Sequence, residues 1–173
     1  MSKPFISSLQ NTLEKSLVLL ENIPDSVYID ATVGPFYSTI GGHIRHILDF
    51  YFSIFKGLNN YLIDLTDRER NNTIEIDVYF AKTEIKKVIL ELDSYLDYDL
   101  EEKYELIDDL GLGKMSIPTN LYAVFAQANS HTIHHYAIIS QLLFTFEIVI
   151  EDKTFGYNPT TPVKVSSKIL IVK

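Results

Sequence analysis

Four long segments of this chain repeat their apolar residues at the spacing of an α-helix, and this pattern restricts the possible folds more than any other feature. The segments cover residues 5–22, 38–58, 73–96 and 119–146. In each of them, apolar side chains recur every three or four positions and share one face, which has to be buried. The sequence therefore predicts an all-α fold, an antiparallel four-helix bundle with long crossover loops after the second and third helices.

The remaining segments predict loops and short strands around the helices. Residues 97–118 contain two glycines and predict a hairpin or an irregular excursion. The tail, residues 147–173, contains glycine and proline and predicts an irregular segment with a short strand at 168–172. A length of 173 residues fits one core. We therefore expect residues 1–173 to form a single domain, with the tail packing on the bundle.

Composition narrows the classes of function. The chain has no cysteine, so disulfide bonds and thiolate ligands are excluded. A net charge of −8 argues against a surface that binds nucleic acid. No apolar run is long enough to cross a membrane, and the N-terminus lacks the pattern of a signal peptide. These features predict a cytoplasmic protein that acts without nucleic acid and without a membrane.

All five histidines lie in two of the helical segments, at positions 43, 46, 131, 134 and 135. His131 and His135 are four positions apart, so on a helix they share a face, and this spacing presents two imidazoles to one metal ion. Both fall on the apolar stripe of their segment and are expected to point inward, whereas His134 falls on another face. A metal ion would satisfy such buried rings. Two histidines packed in a core without metal are the alternative.

Three motifs of the chain occur together in one group of proteins. They are GHIRHILD at residues 42–49, HTIHHYA at residues 131–137 and FGYNPTT at residues 155–161. With them, the chain resembles the DinB/YfiT-like family of metal-binding four-helix-bundle proteins, one branch of which has a Phe-Gly-x-x-Pro-Ser-Thr stretch similar to the third motif. The resemblance covers nearly the whole chain, and its specificity comes from the joint occurrence of the two histidine motifs.

The resemblance implies a metal site between the second and fourth helices, held by His46, His131 and His135. It favours His46 in the first motif because the family's first ligand is commonly followed by an acidic residue, as Asp49 follows here. Helical phase does not separate the two histidines of that motif, so His43 remains an alternative ligand or a partner of one. Three neutral imidazoles leave coordination positions open, as in catalytic sites. The expected cofactor is a divalent metal ion, and zinc, nickel, iron or manganese would fit these ligands.

Proteins of this family include thiol-dependent transferases and hydrolase-like enzymes, and many members have no assigned activity. The resemblance therefore implies a metal-dependent enzyme that acts on a small molecule, with a low-molecular-weight thiol as the co-substrate of a transferase. A non-enzymatic metal-binding or stress-response module is the alternative, and the residues alone do not decide whether the protein is an enzyme. Homodimerisation through exposed helix faces is compatible with such a fold.

Five further polar residues are candidates for contacts with such a site. Asp49 could orient a histidine and Gln127 could bind a ligand, although both are equally well explained as ordinary helix residues. Arg45 falls on the polar side of its helix, which predicts a solvated side chain. Arg68 and Arg70 could guard the pocket or recognise an anionic substrate, with surface salt bridges as the simpler explanation.

Overall fold

The computed structural model describes residues 2–162, which form a mixed α/β fold that is 57% helical. Its helices are α1 (Ser2–Asn22), α2 (Asp25–Tyr28), α3 (Ile40–Gly57), α4 (Thr73–Ile76), α5 (Val78–Asp93) and α6 (Leu121–Thr145). Its strands are β1 (Leu62–Asp64), β2 (Lys103–Asp109) and β3 (Lys114–Asn120), and a 3-10 turn at Leu58–Asn60 precedes β1. None of the helices in this part of the chain is both long and apolar enough to cross a membrane.

The prediction of an all-α antiparallel four-helix bundle is wrong, because a three-stranded mixed sheet is built into the fold. Strands β2 and β3 form an antiparallel hairpin, so the hairpin interpretation of residues 97–118 is confirmed. Strand β1 pairs with β2 in parallel, with Ile63 opposite Leu106, and both side chains are buried. A strand of three residues has no readable alternation of apolar and polar positions, which is why the sequence does not reveal β1.

Two of the predicted helices begin where their capping residues indicate. The backbone N–H of Gly42 donates to Oγ1 of Thr39 at 2.8 Å at the start of α3. The backbone N–H of Ala123 donates to Oδ1 of Asn120 at 2.9 Å at the start of α6. These side chains satisfy N–H groups that have no partner within the helix, so they define both helix starts.

The segment predicted as one helix over residues 73–96 is divided in two. The backbone is extended at Asp77, whose carboxylate accepts the N–H of Phe80 at 2.9 Å and thereby caps α5. An aspartate is a favourable N-cap, and it starts a new helix here after the single turn of α4. Apolar spacing continues across the break, so periodicity alone does not detect it.

Helix α3 is the element that positions the site, since it packs against α4, α5, α6 and β1. Its apolar stripe is buried as predicted, at Ile40, Ile44, Ile47, Tyr51 and Ile54. The stripe of α6 is buried at Leu121, Val124, Ala128, Ile139 and Leu142. Because the histidines follow the same phase as these residues, the packing of α3 on α6 directs them towards each other.

A close backbone contact joins α3 to α4. A Cβ atom at Gly41 would lie 2.0 Å from the carbonyl oxygen of Glu75, a distance that no larger residue could accept without a shift of the backbone. Glycine therefore lets the two helices approach here.

The described part of the tail, residues 147–162, packs on α6. The ring of Phe155 stacks on Tyr136 with centroids 4.5 Å apart. Gly156 lies against the backbone of Ala137, where a Cβ atom would be 2.8 Å from the Ala137 Cα atom. The strand predicted at 168–172 lies outside the described residues.

Candidate metal centre

The contact between α3 and α6 brings three histidines together. His46 lies on α3, and His131 and His135 lie one turn apart on α6. One nitrogen from each ring can be chosen so that all three atoms lie within 4.8 Å of one another. His135 is buried, and the other two rings are half-buried. The three residues selected from the sequence are therefore close enough to hold a metal ion.

The spacing on α6 fits one ion shared by two rings. Nε2 of His131 and Nε2 of His135 are 3.1 Å apart. Two nitrogens bound to one tetrahedral zinc ion at ordinary bond lengths would be about 3.3 Å apart. The two rings therefore need only a small adjustment to share an ion.

All three rings have the protonation state that a metal ion requires. Burial lowers the pKa of His46 to about 4, and the charges of His131 and Arg68 add to this effect. Burial also lowers the pKa of His131 to about 4 and that of His135 to about 3. At neutral pH each ring is thus neutral and has one unprotonated nitrogen, as ligation needs. An all-imidazole donor set fits divalent ions such as zinc and nickel.

A chain of hydrogen bonds runs from Nδ1 of His135 through His43 to Ser38. Nδ1 of His43 lies 2.9 Å from Nδ1 of His135, and Nε2 of His43 lies 2.9 Å from Oγ of Ser38. If His135 binds an ion through Nε2, its proton is on Nδ1 and is donated to His43. His43 then has its own proton on Nε2 and donates it to Ser38. In a site that binds an ion through His135, His43 would thus be the partner of a ligand, the second of the two roles that the sequence left open for it.

The acidic residue that follows His46 contacts an arginine, although orientation of a histidine was one of its two interpretations. Asp49 is buried and accepts a hydrogen bond from Arg45, which also donates to Glu75 of α4. Burial raises the pKa of Asp49, while the charges of Arg45 and Arg68 oppose this rise. Asp49 therefore pairs with an arginine and not with a histidine. The prediction of a solvated Arg45 is wrong, because its side chain is only 16% exposed.

Arg68 reaches the histidines from the loop after β1. Its Nη1 atom lies 3.1 Å from Nδ1 of His46, and its Nε atom donates to the carbonyl oxygen of Leu65 at 2.7 Å. The backbone N–H of Leu65 in turn donates to the carbonyl oxygen of Ile107 in β2 at 2.9 Å. The sheet, whose strand β1 the sequence did not predict, therefore anchors an arginine at the site.

The remaining candidates lie at the edge of the site. His134 and Gln127 are exposed, and the expectation that His134 lies on another face is confirmed. A groove with a volume of about 500 Å³ runs past Ser38 and His134. Its walls include Phe36, Ile138 and Leu142, so it is largely apolar. No local pattern in the sequence indicates the contact of Ser38 with His43.

Neither a protein-family model, nor a curated protein, nor a solved structure matches this chain. The resemblance to DinB/YfiT-like proteins consequently stays a prediction without support from relatives, and the four-helix bundle that it implied is wrong. The functional interpretation has to depend on the geometry of the site itself.

Proposed function

We propose that the protein is a metal-dependent enzyme that acts on a small molecule and binds a divalent metal ion through His46, His131 and His135. The convergence of three neutral imidazole rings where α3 packs on α6 is the observation that carries this proposal. An ion with three protein ligands keeps open positions at which it polarises a bound substrate or nucleophile. Hydrolysis and thiol-dependent group transfer are the two reaction classes for which this chemistry suffices.

The hydrogen bonds of His135 support the metal site, and a groove lined by Ser38 and His134 supports a small-molecule substrate. The contacts of Ser38 with His43 and of His43 with His135 allow His135 to bind an ion through Nε2 with its proton on Nδ1, as the partners of metal-bound imidazoles commonly do. The groove beside His134 has a volume of about 500 Å³, which is in the range of small-molecule sites. Its apolar walls and few polar groups suit an organic substrate better than a macromolecule.

A metal-binding module without catalysis is the second candidate, and one observation favours it. Catalysis by proton transfer needs a base beside the ligands. Asp49 is the carboxylate nearest in sequence to His46 within α3, and it is buried in an ion pair with Arg45. An enzyme would therefore need the substrate or the metal ion to supply the reactive base.

Metal analysis of the untagged protein tests the proposal. The protein is stripped with a chelator, reloaded separately with zinc, nickel, iron(II) and manganese, and analysed by mass spectrometry. We expect about one ion per chain for at least one metal, and loss of that ion in His46→Ala, His131→Ala and His135→Ala. His134→Ala is the matched control, because it removes an exposed imidazole from the same turn of α6 and should not change the metal content.

Two results would contradict the proposal in different ways. A wild-type chain that holds none of these metals, or triad variants that bind them as well as the wild type, would exclude the metal site. The loaded protein is then assayed with small thiols and an electrophilic acceptor, and separately with hydrolysable esters and amides. Full loading with no turnover in either assay would favour the binding module.

A further inference from the structure

Arg68 is a cation without a carboxylate partner in the described part of the chain. Among residues 2–162, no aspartate or glutamate forms an ion pair with it, and its Nη2 atom has no hydrogen-bond partner. Its side chain is nevertheless half-buried. The neighbouring Arg45, by contrast, pairs with both Asp49 and Glu75. A partly desolvated guanidinium that no carboxylate contacts directly favours the approach of an anion.

The contact between Arg68 and His46 is incompatible with metal binding by His46. A guanidinium can only donate, so Nδ1 of His46 must present its lone pair to Arg68. If an ion occupied Nδ1, that lone pair would be used. If an ion occupied Nε2 of the neutral ring, Nδ1 would bear the proton and could no longer accept. With either nitrogen as ligand, Arg68 loses this hydrogen bond and its Nη1 atom becomes available beside the site.

The charge of the metal-loaded site also favours the binding of an anion. Three neutral imidazoles bring no negative charge to a divalent ion, and the single net negative charge of the group formed by Arg45, Asp49 and Glu75 offsets Arg68 alone. Asp49 is the buried carboxylate on this side of α3, and Arg45 already engages it.

We propose that Arg68 makes the metal site an oxyanion site, in which a carboxylate or phosphate group of the substrate is held by the ion and by the guanidinium released from His46. This inference rests on the proposed function, since it requires the metal ion. An oxyanion matches the planar fork of donors that arginine presents, whereas a thiolate offers only one soft acceptor atom. Leu65 keeps the Nε end of Arg68 in place, so the released Nη1 atom stays close to the histidines.

The proposal predicts that Arg68→Met raises the affinity for Co²⁺ alone and reduces the gain in Co²⁺ affinity that an oxyanion produces. Co²⁺ affinity is measured by competition with a chromophoric chelator in a weakly coordinating buffer, alone and with acetate, methylphosphonate or neutral acetamide. In Arg68→Met, Co²⁺ affinity without an oxyanion should rise severalfold, because the competing hydrogen bond and the repelling charge are gone. The gain in Co²⁺ affinity that acetate or methylphosphonate produces in the wild type should fall by about tenfold or more, as expected for the loss of a charge-assisted hydrogen bond.

Matched variants make the result specific. Arg70→Met removes the same charge from an exposed position of the same loop. Its Co²⁺ affinity and its oxyanion effect should both stay within twofold of the wild type. Arg68→Lys keeps the charge without the fork and should retain part of the oxyanion effect, which also covers the case that Arg68→Met does not fold. The stronger of the acetate and methylphosphonate effects identifies the carboxylate or the phosphate as the group recognised.

Different results would contradict the proposed metal-dependent function and the role of Arg68. A wild-type chain that takes up no Co²⁺, Zn²⁺ or Ni²⁺ contradicts the proposed function and this inference together. Normal Co²⁺ uptake, with the same oxyanion effect in Arg68→Met as in the wild type, contradicts the role of Arg68 alone. Reduced Co²⁺ affinity of folded Arg68→Met in the absence of oxyanion would also overturn it, because Arg68 would then support the site and not compete with the ion.

Discussion

Nδ1 of His43 and Nδ1 of His135 lie 2.9 Å apart across the contact between α3 and α6. Two nitrogens at this distance share one proton, so one ring donates and the other accepts. The outer nitrogen of His43 meets Ser38, and the outer nitrogen of His135 faces His131. The protonation of a ring on one helix is therefore coupled to that of a ring on the other.

This pair predicts that His43 controls metal affinity without being a ligand. In His43→Phe, His135 loses the acceptor for its Nδ1 proton, and metal affinity should fall by about tenfold to 100-fold, as is usual for such supporting partners. Competition titration with a chelator measures the change. His134→Phe places the same ring on the exposed face of α6 and should leave the affinity unchanged. Complete loss of metal in His43→Phe, as in His135→Ala, would instead make His43 a ligand.

The free energy of unfolding of the metal-free protein should fall as the pH is lowered from about 6.5 to about 4. Burial lowers the pKa values of His46 and His131 to about 4 and that of His135 to about 3, whereas the unfolded chain protonates near 6.5. Between these values the unfolded state binds more protons, so stability is full above pH 6.5 and is lost below it.

The number of protons taken up on unfolding limits how steeply the free energy of unfolding falls with pH. Each ring that stays neutral in the folded state contributes at most about 1.4 kcal/mol per pH unit, and solvent exposure of His46 and His131 reduces this value. Urea unfolding at a series of pH values measures the slope. The double variant His131→Gln, His135→Gln should have a shallower slope, and an unchanged slope would show that other groups cause the loss.

Metal ions should stabilise the fold by an amount that grows with the logarithm of their free concentration relative to Kd. An ion that binds only the folded state raises the free energy of unfolding by about 2.7 kcal/mol at a free concentration 100 times its Kd. Thermal unfolding with increasing zinc or nickel should show this rise, and a chelator should reverse it. The same titration of His131→Ala should produce no stabilisation, and an equal rise in that variant would place the bound ion elsewhere.

Gly41→Ala should destabilise the protein strongly. The added Cβ would meet the carbonyl oxygen of Glu75 at 2.0 Å, which is backbone and cannot rotate away. Overpacking typically costs about 1–3 kcal/mol, and we expect the upper end of this range because the contacted atom is backbone. Gly42→Ala is the control on the same turn, since its nearest neighbour is the side chain of Thr39 at 3.1 Å, and it should stay within about 1 kcal/mol of the wild type. Urea unfolding of both variants checks this difference.

Local patterns predicted the parts of the site that local interactions determine. The inward phase of His135 follows from the apolar positions of its own helix, and the start of α3 follows from Thr39, three residues before the N–H that it accepts. The division of the third predicted helix was missed because Asp77 caps a helix without interrupting the apolar spacing. The contact of Arg45 with Glu75 is not predicted because Glu75 lies on another element, whereas Asp49 lies on the same helix as Arg45.

By itself, the sequence determined where the long helices lie, which faces they bury and that two histidines of α6 share one face. These properties depend on periodicity and on hydrogen bonds between residues a few positions apart. Only the tertiary structure decided that β1 joins β2, that His43 supports His135, and that Leu65 directs Arg68 to His46. These relationships are contacts between segments distant in the chain, and their energies arise only when packing brings the segments together.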